Sequence, residues 1–224
     1  MTASGPTRLR LHIHPGTSGL APHMALLAAS VPFEVRTLDL FAGEARMPAF
    51  LAINPFGTVP ALEDGDAVIP ETGAILLHVA ERFPAAALLP DDAKARAQAL
   101  RWLFHVAALH ADFMTWRRAS FALRDDPHAM EATQAWMTRR LAEAFRTVDQ
   151  VMAGPFLAGS GPGPADFYLV MVAGWWRKRF DFAKETPRLA RFLQAMVDSP
   201  DVQGAYEAQG SDLPRFRDVE PVVV

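Results

Sequence analysis

None of the 224 residues is cysteine. That absence alone excludes disulfides, cysteine-ligated metals and a protein thiolate nucleophile. Any sulfur nucleophile must therefore arrive with a small molecule. Also missing is an apolar run of the roughly 18–20 residues that a membrane-spanning helix requires. The stretch Met1 to Thr7 has no basic segment leading into an apolar one, so no secretory signal is expected. Tyrosine is scarce, with only Tyr168 and Tyr206. Neither sign of charge dominates: 22 Lys and Arg against 25 Asp and Glu leave a formal charge of −3. The local basic clusters, Arg117–Arg118, Arg139–Arg140 and Arg177–Lys178–Arg179, sit in helical stretches among acidic and apolar residues. They read as solvated helix surface rather than a nucleic-acid footprint. The expectation is a cytoplasmic protein with neither nucleic acid nor membrane as a partner.

What is present is enough apolar material to build a core. Half of the residues are hydrophobic and 21% charged, the balance of a folded globular chain. Its first part alternates short strand patterns with helices. Leu9–His14 and Phe33–Leu38 alternate apolar and polar side chains with period two, and a helical stretch from about Pro22 to Ser30 lies between them. A second, less regular helix is expected over 43–53, followed by the turn cluster Asn54-Pro55-Phe56-Gly57. The strand-like runs Val59–Leu62 and Ala67–Ile69 flank Asp64-Gly65-Asp66, a hairpin signal. Thr72 to Phe83 then reads as a well-patterned helix ending before Pro84. The βαβ, αββα order predicts one mixed four-stranded sheet.

After Pro84 the strand signals stop. Helices are expected over 93–118, 127–152, 164–180 and 187–197, three of them opened by Pro127, Pro164 and Pro187. The predicted architecture is an α/β domain over 8–84, a linker over 85–91 and an all-helical domain over 92–219. A surface tail is expected from Glu220.

The segment Asn54-Pro55-Phe56-Gly57-Thr58-Val59-Pro60-Ala61-Leu62, followed by Glu71-Thr72-Gly73-Ala74-Ile75, resembles the glutathione-binding signature of cytosolic glutathione transferases. That signature pairs N-P-x-G-x-V-P-x-L with E-[ST]-x-A-I after a hairpin. The resemblance implies a thioredoxin-like first domain, a helical second domain and a homodimer. It also implies a cis Val59–Pro60 peptide, with the Val59 backbone paired to the cysteinyl part of glutathione. Glu71 and Thr72 come at a helix start, where exposed N–H groups and the positive dipole end favour a carboxylate. Glu71 can accept from the γ-glutamyl ammonium, while Thr72 donates to its carboxylate. Thr58 stands where the family often carries a longer polar side chain near the glycine carboxylate.

A transferase must also activate its thiol. The free thiol titrates near 8.5, about one to two units too high for thiolate chemistry at neutral pH. The loop His14-Pro15-Gly16-Thr17-Ser18-Gly19-Leu20-Ala21-Pro22-His23 is similar to the bacterial beta-class loop P-G-x-C-S-L-A-x-H, with Ser18 at the cysteine position. Theta-like members use a serine hydroxyl hereabouts, and Ile13 falls near the position of the tyrosine that other classes use. Ser18 is the expected thiolate-stabilising donor, with Thr17 as the second candidate.

His110 resembles the beta-class histidine that lines the substrate side, and Phe113 and Trp116 are candidates for an apolar acceptor pocket. The other histidines form no metal-ligand spacing with nearby carboxylates, so no metal is expected. Asp166, at the third position of the helix opened by Pro164, reads as structural. The resemblance implies a transferase that adds glutathione thiolate to a small hydrophobic electrophile. The alternative is a catalytically silent relative that binds apolar ligands or a protein partner.

Overall fold

The computed structural model describes residues 9–216. The expected tail from Glu220, and the domain limits at 8 and 219, lie outside the described residues. Two compact units are present. Among the described residues, one takes in 9–89 together with Ser199–Leu213; the other holds Pro90–Asp198 and 214–216.

The first unit is built on four strands, β1 (Leu9–Ile13), β2 (Phe33–Thr37), β3 (Ala61–Asp64) and β4 (Ala67–Pro70). Their order in the sheet is β2-β1-β3-β4; β1 and β2 are parallel, and the other two pairings antiparallel. Helix α1 (Leu20–Ala28) makes the crossover between the parallel strands β1 and β2, and α3 (Thr72–Arg82) follows β4. This is the thioredoxin-like order. On one side of the sheet Leu9, Leu11 and Ile13 are buried, as are Leu20 and Met24 of α1 and Ile75, Leu76 and Val79 of α3. A smaller cluster holds Leu38, Ala45, Phe50 and Ala61, with Leu40, Ile53 and Val59 packed against it.

The irregular helix expected over 43–53 is split into a 3-10 turn at Glu44–Arg46 and the short α2 (Pro48–Leu51). Pro48 explains the break: its ring forces the preceding Met47 out of helical geometry, to φ −74° and ψ 146°. Helix α1 begins at Leu20 rather than Pro22, so that Pro22 occupies its first turn, where a missing N–H costs nothing. Strand β3 begins at Ala61, two residues later than the pattern suggests, because Pro60 has no N–H to donate to the ladder; the Val59–Pro60 peptide is cis, as expected.

The second unit comprises α4 (Ala93–Ala122), α5 (Pro127–Val151), α6 (Pro164–Trp176), α7 (Phe182–Glu185) and α8 (Pro187–Val197). Asp92 and Asp126 cap the two long helices, accepting from the N–H groups of Ala95 and Ala129. Helix α6 is buried on all sides from Pro164 to Gly174, which accounts for its apolar sequence apart from Asp166. It stops at Trp176, short of the expected Phe180, and the chain re-forms a turn as α7, capped by Asp181. Helix α9 (Pro200–Ala208) was not expected from the pattern at all. It packs against α1 in the first unit, whereas the expected all-helical domain over 92–219 would place it with the later helices.

Candidate functional site

Gly19 sets the geometry of the first site. A Cβ at this position would lie 2.3 Å from Ile13 Cγ2, so only glycine lets α1 start hard against the end of β1. The loop before it closes on itself: Thr17 N–H donates to the His14 carbonyl at 3.2 Å, and Leu20 N–H to the Thr17 carbonyl at 3.1 Å. His14 Nδ1 lies 2.8 Å from the Leu38 carbonyl, which ties the loop to the end of β2.

The two hydroxyl candidates behave differently. Thr17 Oγ1 donates to the His14 carbonyl at 2.6 Å, a short bond that commits it to the turn. Ser18 is half-buried, and among the described residues its Oγ reaches only the Val59 carbonyl, at 3.5 Å. That is the outer limit of a hydrogen bond, well beyond the roughly 2.7–2.8 Å usual for O–H···O. The Ser18 proton is thus available to a better acceptor, and the Thr17 proton is already placed.

Ser18, Val59 and Thr72 meet at one spot. The Thr72 hydroxyl lies 3.5 Å from the Ser18 carbonyl, while Ser18 Oγ faces Val59. Thr72 is buried at the first position of α3; Glu71 before it is exposed. Glu71 has φ 72° and ψ 124°, a backbone conformation that a residue with a side chain rarely adopts. Strain of this kind costs on the order of 1–3 kcal/mol and tends to persist where a binding geometry depends on it. Thr58 is exposed, and its carbonyl accepts from the Asn54 side-chain amide at 2.7 Å. Asn54, fully buried, also accepts from the Phe56 N–H at 3.2 Å. It holds the loop that carries Thr58 and Val59, a role the turn composition alone did not reveal.

An exposed carboxylate at Glu71 faces solvent beside a helix N-terminus, giving one acceptor for an ammonium and N–H donors for a carboxylate. The Val59 carbonyl lies beside the weakly engaged Ser18 hydroxyl.

His110, Phe113 and Trp116 lie in the helical unit, all on α4. His110 Nδ1 is 2.8 Å from the Tyr168 hydroxyl, and its ring centroid is 5.4 Å from that of Trp175. Burial first, and Arg118 second, lower its pKa to about 4, so the ring is neutral at physiological pH. Phe113 stacks near Trp175 at 5.0 Å, and Trp116 meets Trp176 edge-on at 5.1 Å. The Arg179 guanidinium lies 4.3 Å over the Trp116 ring. The three expected residues thus share one aromatic cluster with Tyr168, Trp175 and Trp176. Among the described residues, no group of three or more His, Asp and Glu side chains could hold a metal, and no helix is long and apolar enough to cross a membrane.

Residues 8–81 match the family model for the glutathione S-transferase N-terminal domain. Glutathione S-transferase GST-4.5 of Xanthomonas campestris pv. campestris is 31% identical over 205 residues, 90% of this chain and 99% of the relative. A solved glutathione S-transferase from Xylella fastidiosa superposes with a TM-score of 0.84 at 29% identity, covering 91% of this chain and all of the other. A glutathione transferase homologue from Sulfitobacter, solved with bound glutathione, gives 0.79 at 28% identity over 91% of this chain and 99% of that one. The chain belongs to the glutathione S-transferase family. It is a glutathione-dependent transferase with glutathione as its co-substrate.

Proposed function

We propose that the protein adds the thiolate of glutathione to a small hydrophobic electrophile, with Ser18 as its catalytic residue. In the complex the Ser18 hydroxyl donates to the glutathione sulfur and favours its ionised form; the thiol proton leaves to water. The sulfur then forms a bond to an electron-poor carbon, either expelling a leaving group or adding across an activated double bond. No covalent bond to the protein is made. Ionising a thiol one to two units below its ordinary value needs about 1.4–2.8 kcal/mol of preferential stabilisation. A charge-assisted hydrogen bond beside the N-terminus of α1 supplies energy of that order.

Thr58, Val59, Pro60, Glu71 and Thr72 bind the tripeptide in this reading: Val59 by backbone pairing, Glu71 by the ammonium, Thr72 by the γ-glutamyl carboxylate. His110, Phe113 and Trp116 take the electrophile, their aromatic faces and the neutral imidazole suiting an apolar body. The residues from 8 to 84, joined by the 199–213 segment, act as the glutathione-binding domain and those from 92 to 198 as the electrophile-binding one, with 85–91 as the linker. The exposed Phe56 and Phe104 support a homodimer. A cytoplasmic detoxifying role accords with this chemistry.

The observation that carries the reading is the contrast between Thr17, whose proton is spent within its turn, and Ser18, whose hydroxyl is weakly held beside Val59. The test is an ultraviolet titration of the glutathione complex, following thiolate absorbance in wild type and Ser18→Ala. The expected thiol pKa is near 7 or below, rising by at least about one unit in Ser18→Ala. Glutathione bound with an unshifted thiol would leave a silent binding protein instead.

A further inference from the structure

We infer that Gln209, 191 residues beyond Ser18 in the sequence, is a positioning residue for the Ser18 loop. This rests on the reading of Ser18 as the thiol's hydrogen-bond donor. Gln209 ends α9, where the chain makes two reversed bonds. Gly210 N–H donates to the Glu207 carbonyl at 2.9 Å and Ser211 N–H to the Tyr206 carbonyl at 3.0 Å, with Gly210 at φ 58°. This is the Schellman arrangement, and it fixes the backbone of Gln209 as the C-cap residue that follows Ala208. The side chain, 6% exposed, is thereby aimed at the loop. Its Oε1 accepts from the Gly16 N–H at 3.3 Å, and its Nε2 lies 3.1 Å from His23 Nδ1.

The two contacts fix each other's chemistry. A backbone N–H can only donate, so the atom facing Gly16 is the amide oxygen. The amide nitrogen must then donate to His23, whose Nδ1 is unprotonated and whose ring hydrogen sits on Nε2. His23, 3% exposed, lies in α1, and its ring meets Phe33 edge-on at 5.3 Å. One amide therefore joins the turn two residues before Ser18 to the helix that starts two residues after it. Gly16 adopts φ 72°, and Ser211 Oγ lies 3.7 Å from where its Cβ would be, so the segment after α9 also lies along the turn. The distance from Ser18 Oγ to a bound sulfur depends on this loop, and a donor misplaced by about 1 Å forfeits much of its effect.

The test compares wild type, Gln209→Met and Gln209→Glu. Methionine keeps the length and loses both bonds; glutamate keeps the acceptor for Gly16 but sets an oxygen against His23 Nδ1. At a temperature well below each unfolding midpoint, the bound thiol pKa is measured by ultraviolet titration alongside the glutathione Kd. Gln209→Met should raise the thiol pKa by about 0.5–1 unit, a roughly three- to tenfold loss of thiolate at a pH below both values. The Kd should change by less than about threefold, because Glu71 and Thr72 are untouched. Gln209→Glu should recover part of the shift by drawing a proton onto His23 Nδ1, visible in the ring's ¹⁵N shifts. An independent ¹⁵N measurement on unliganded wild type should show His23 protonated on Nε2 alone. Loss of thermal stability in Gln209→Met with the thiol pKa unmoved would overturn the inference, as would an Nδ1-protonated His23. A wild-type thiol that is itself unshifted sinks the reading of Ser18 instead, so the two failures are distinguishable.

Discussion

At the residue scale, Glu71 shows how function and stability pull apart. Its φ of 72° is unfavourable for any side chain, yet its carboxylate is the acceptor we propose for the ammonium of glutathione. Replacing it with glycine removes the steric penalty of about 1–3 kcal/mol and adds back unfolded-state entropy of about 0.5–1 kcal/mol. Glu71→Gly should therefore raise stability by about 1 kcal/mol in chemical denaturation while weakening glutathione tenfold or more by calorimetry. Lower stability in that variant would show that the backbone is not strained at this position. The residues of the cradle were legible in the sequence because they are contiguous, in the runs 54–62 and 71–75, and because their chemistry follows from turn formers beside a helix start. The distinction between Ser18 and Thr17 was not. It depends on which hydroxyl finds a carbonyl at 2.6 Å, a matter of loop geometry that two adjacent polar residues cannot announce.

At the element scale, helix starts are the most demanding positions, and α1 and α6 are held by different means. The α1 start relies on the missing Cβ of Gly19. Gly19→Ala would press a methyl group against the β-branched Ile13, whose stiff χ1 gives it little room to yield. A cost of about 1–3 kcal/mol is expected, together with a higher bound-thiol pKa as Ser18 moves with the helix. The α6 start relies on Asp166, 1% exposed, whose two oxygens accept from Leu157 N–H at 2.9 Å and Gly163 N–H at 2.8 Å. Asp166→Ala leaves both amides without that acceptor in a buried place, costing about 3 kcal/mol. Burial pushes this carboxyl up to about 7, against the opposing pull of those amides, from 3.8. The folded state therefore holds a proton that the unfolded chain releases, and the associated stabilisation is complete below pH 3.8. It is lost as pH rises to about 7. Urea midpoints across that range should fall more steeply for wild type than for Asp166→Asn, and equal slopes would mean the group is already ionised at low pH. Elements such as α4, α5 and α8 were readable because proline or aspartate marks their starts. Helix α2 was misread because Pro48 sits within the pattern rather than at its edge, and α9 because Pro200 opens only nine residues of weak periodicity.

At the scale of the whole molecule, the chain returns to its beginning. Local signals give each helix, but nothing local says that Ser199–Leu213 belongs with the first unit. The partition is made by packing: Val202 and Ala205 of α9 are fully buried, and Tyr206 is nearly so, in the unit that also buries α1. Burying side chains of this size contributes about 1.5–3 kcal/mol for each large one, a substantial share of a total stability of about 5–15 kcal/mol. Val202→Asp would place an uncompensated carboxylate there at a cost of several kcal/mol, enough to release α9 from α1. The tryptophans make the consequence separable, because Trp102, Trp116, Trp136, Trp175 and Trp176 all lie in the second unit. In urea, Val202→Asp should lose far-ultraviolet circular dichroism at a lower concentration than it loses native tryptophan fluorescence. Glutathione at a hundred times its wild-type Kd should stabilise the wild-type first unit by about 2.7 kcal/mol and the variant by much less. Coincident transitions in the variant would mean that the two units unfold as one cooperative body, with the stability of the glutathione cradle set by the whole chain rather than by α9.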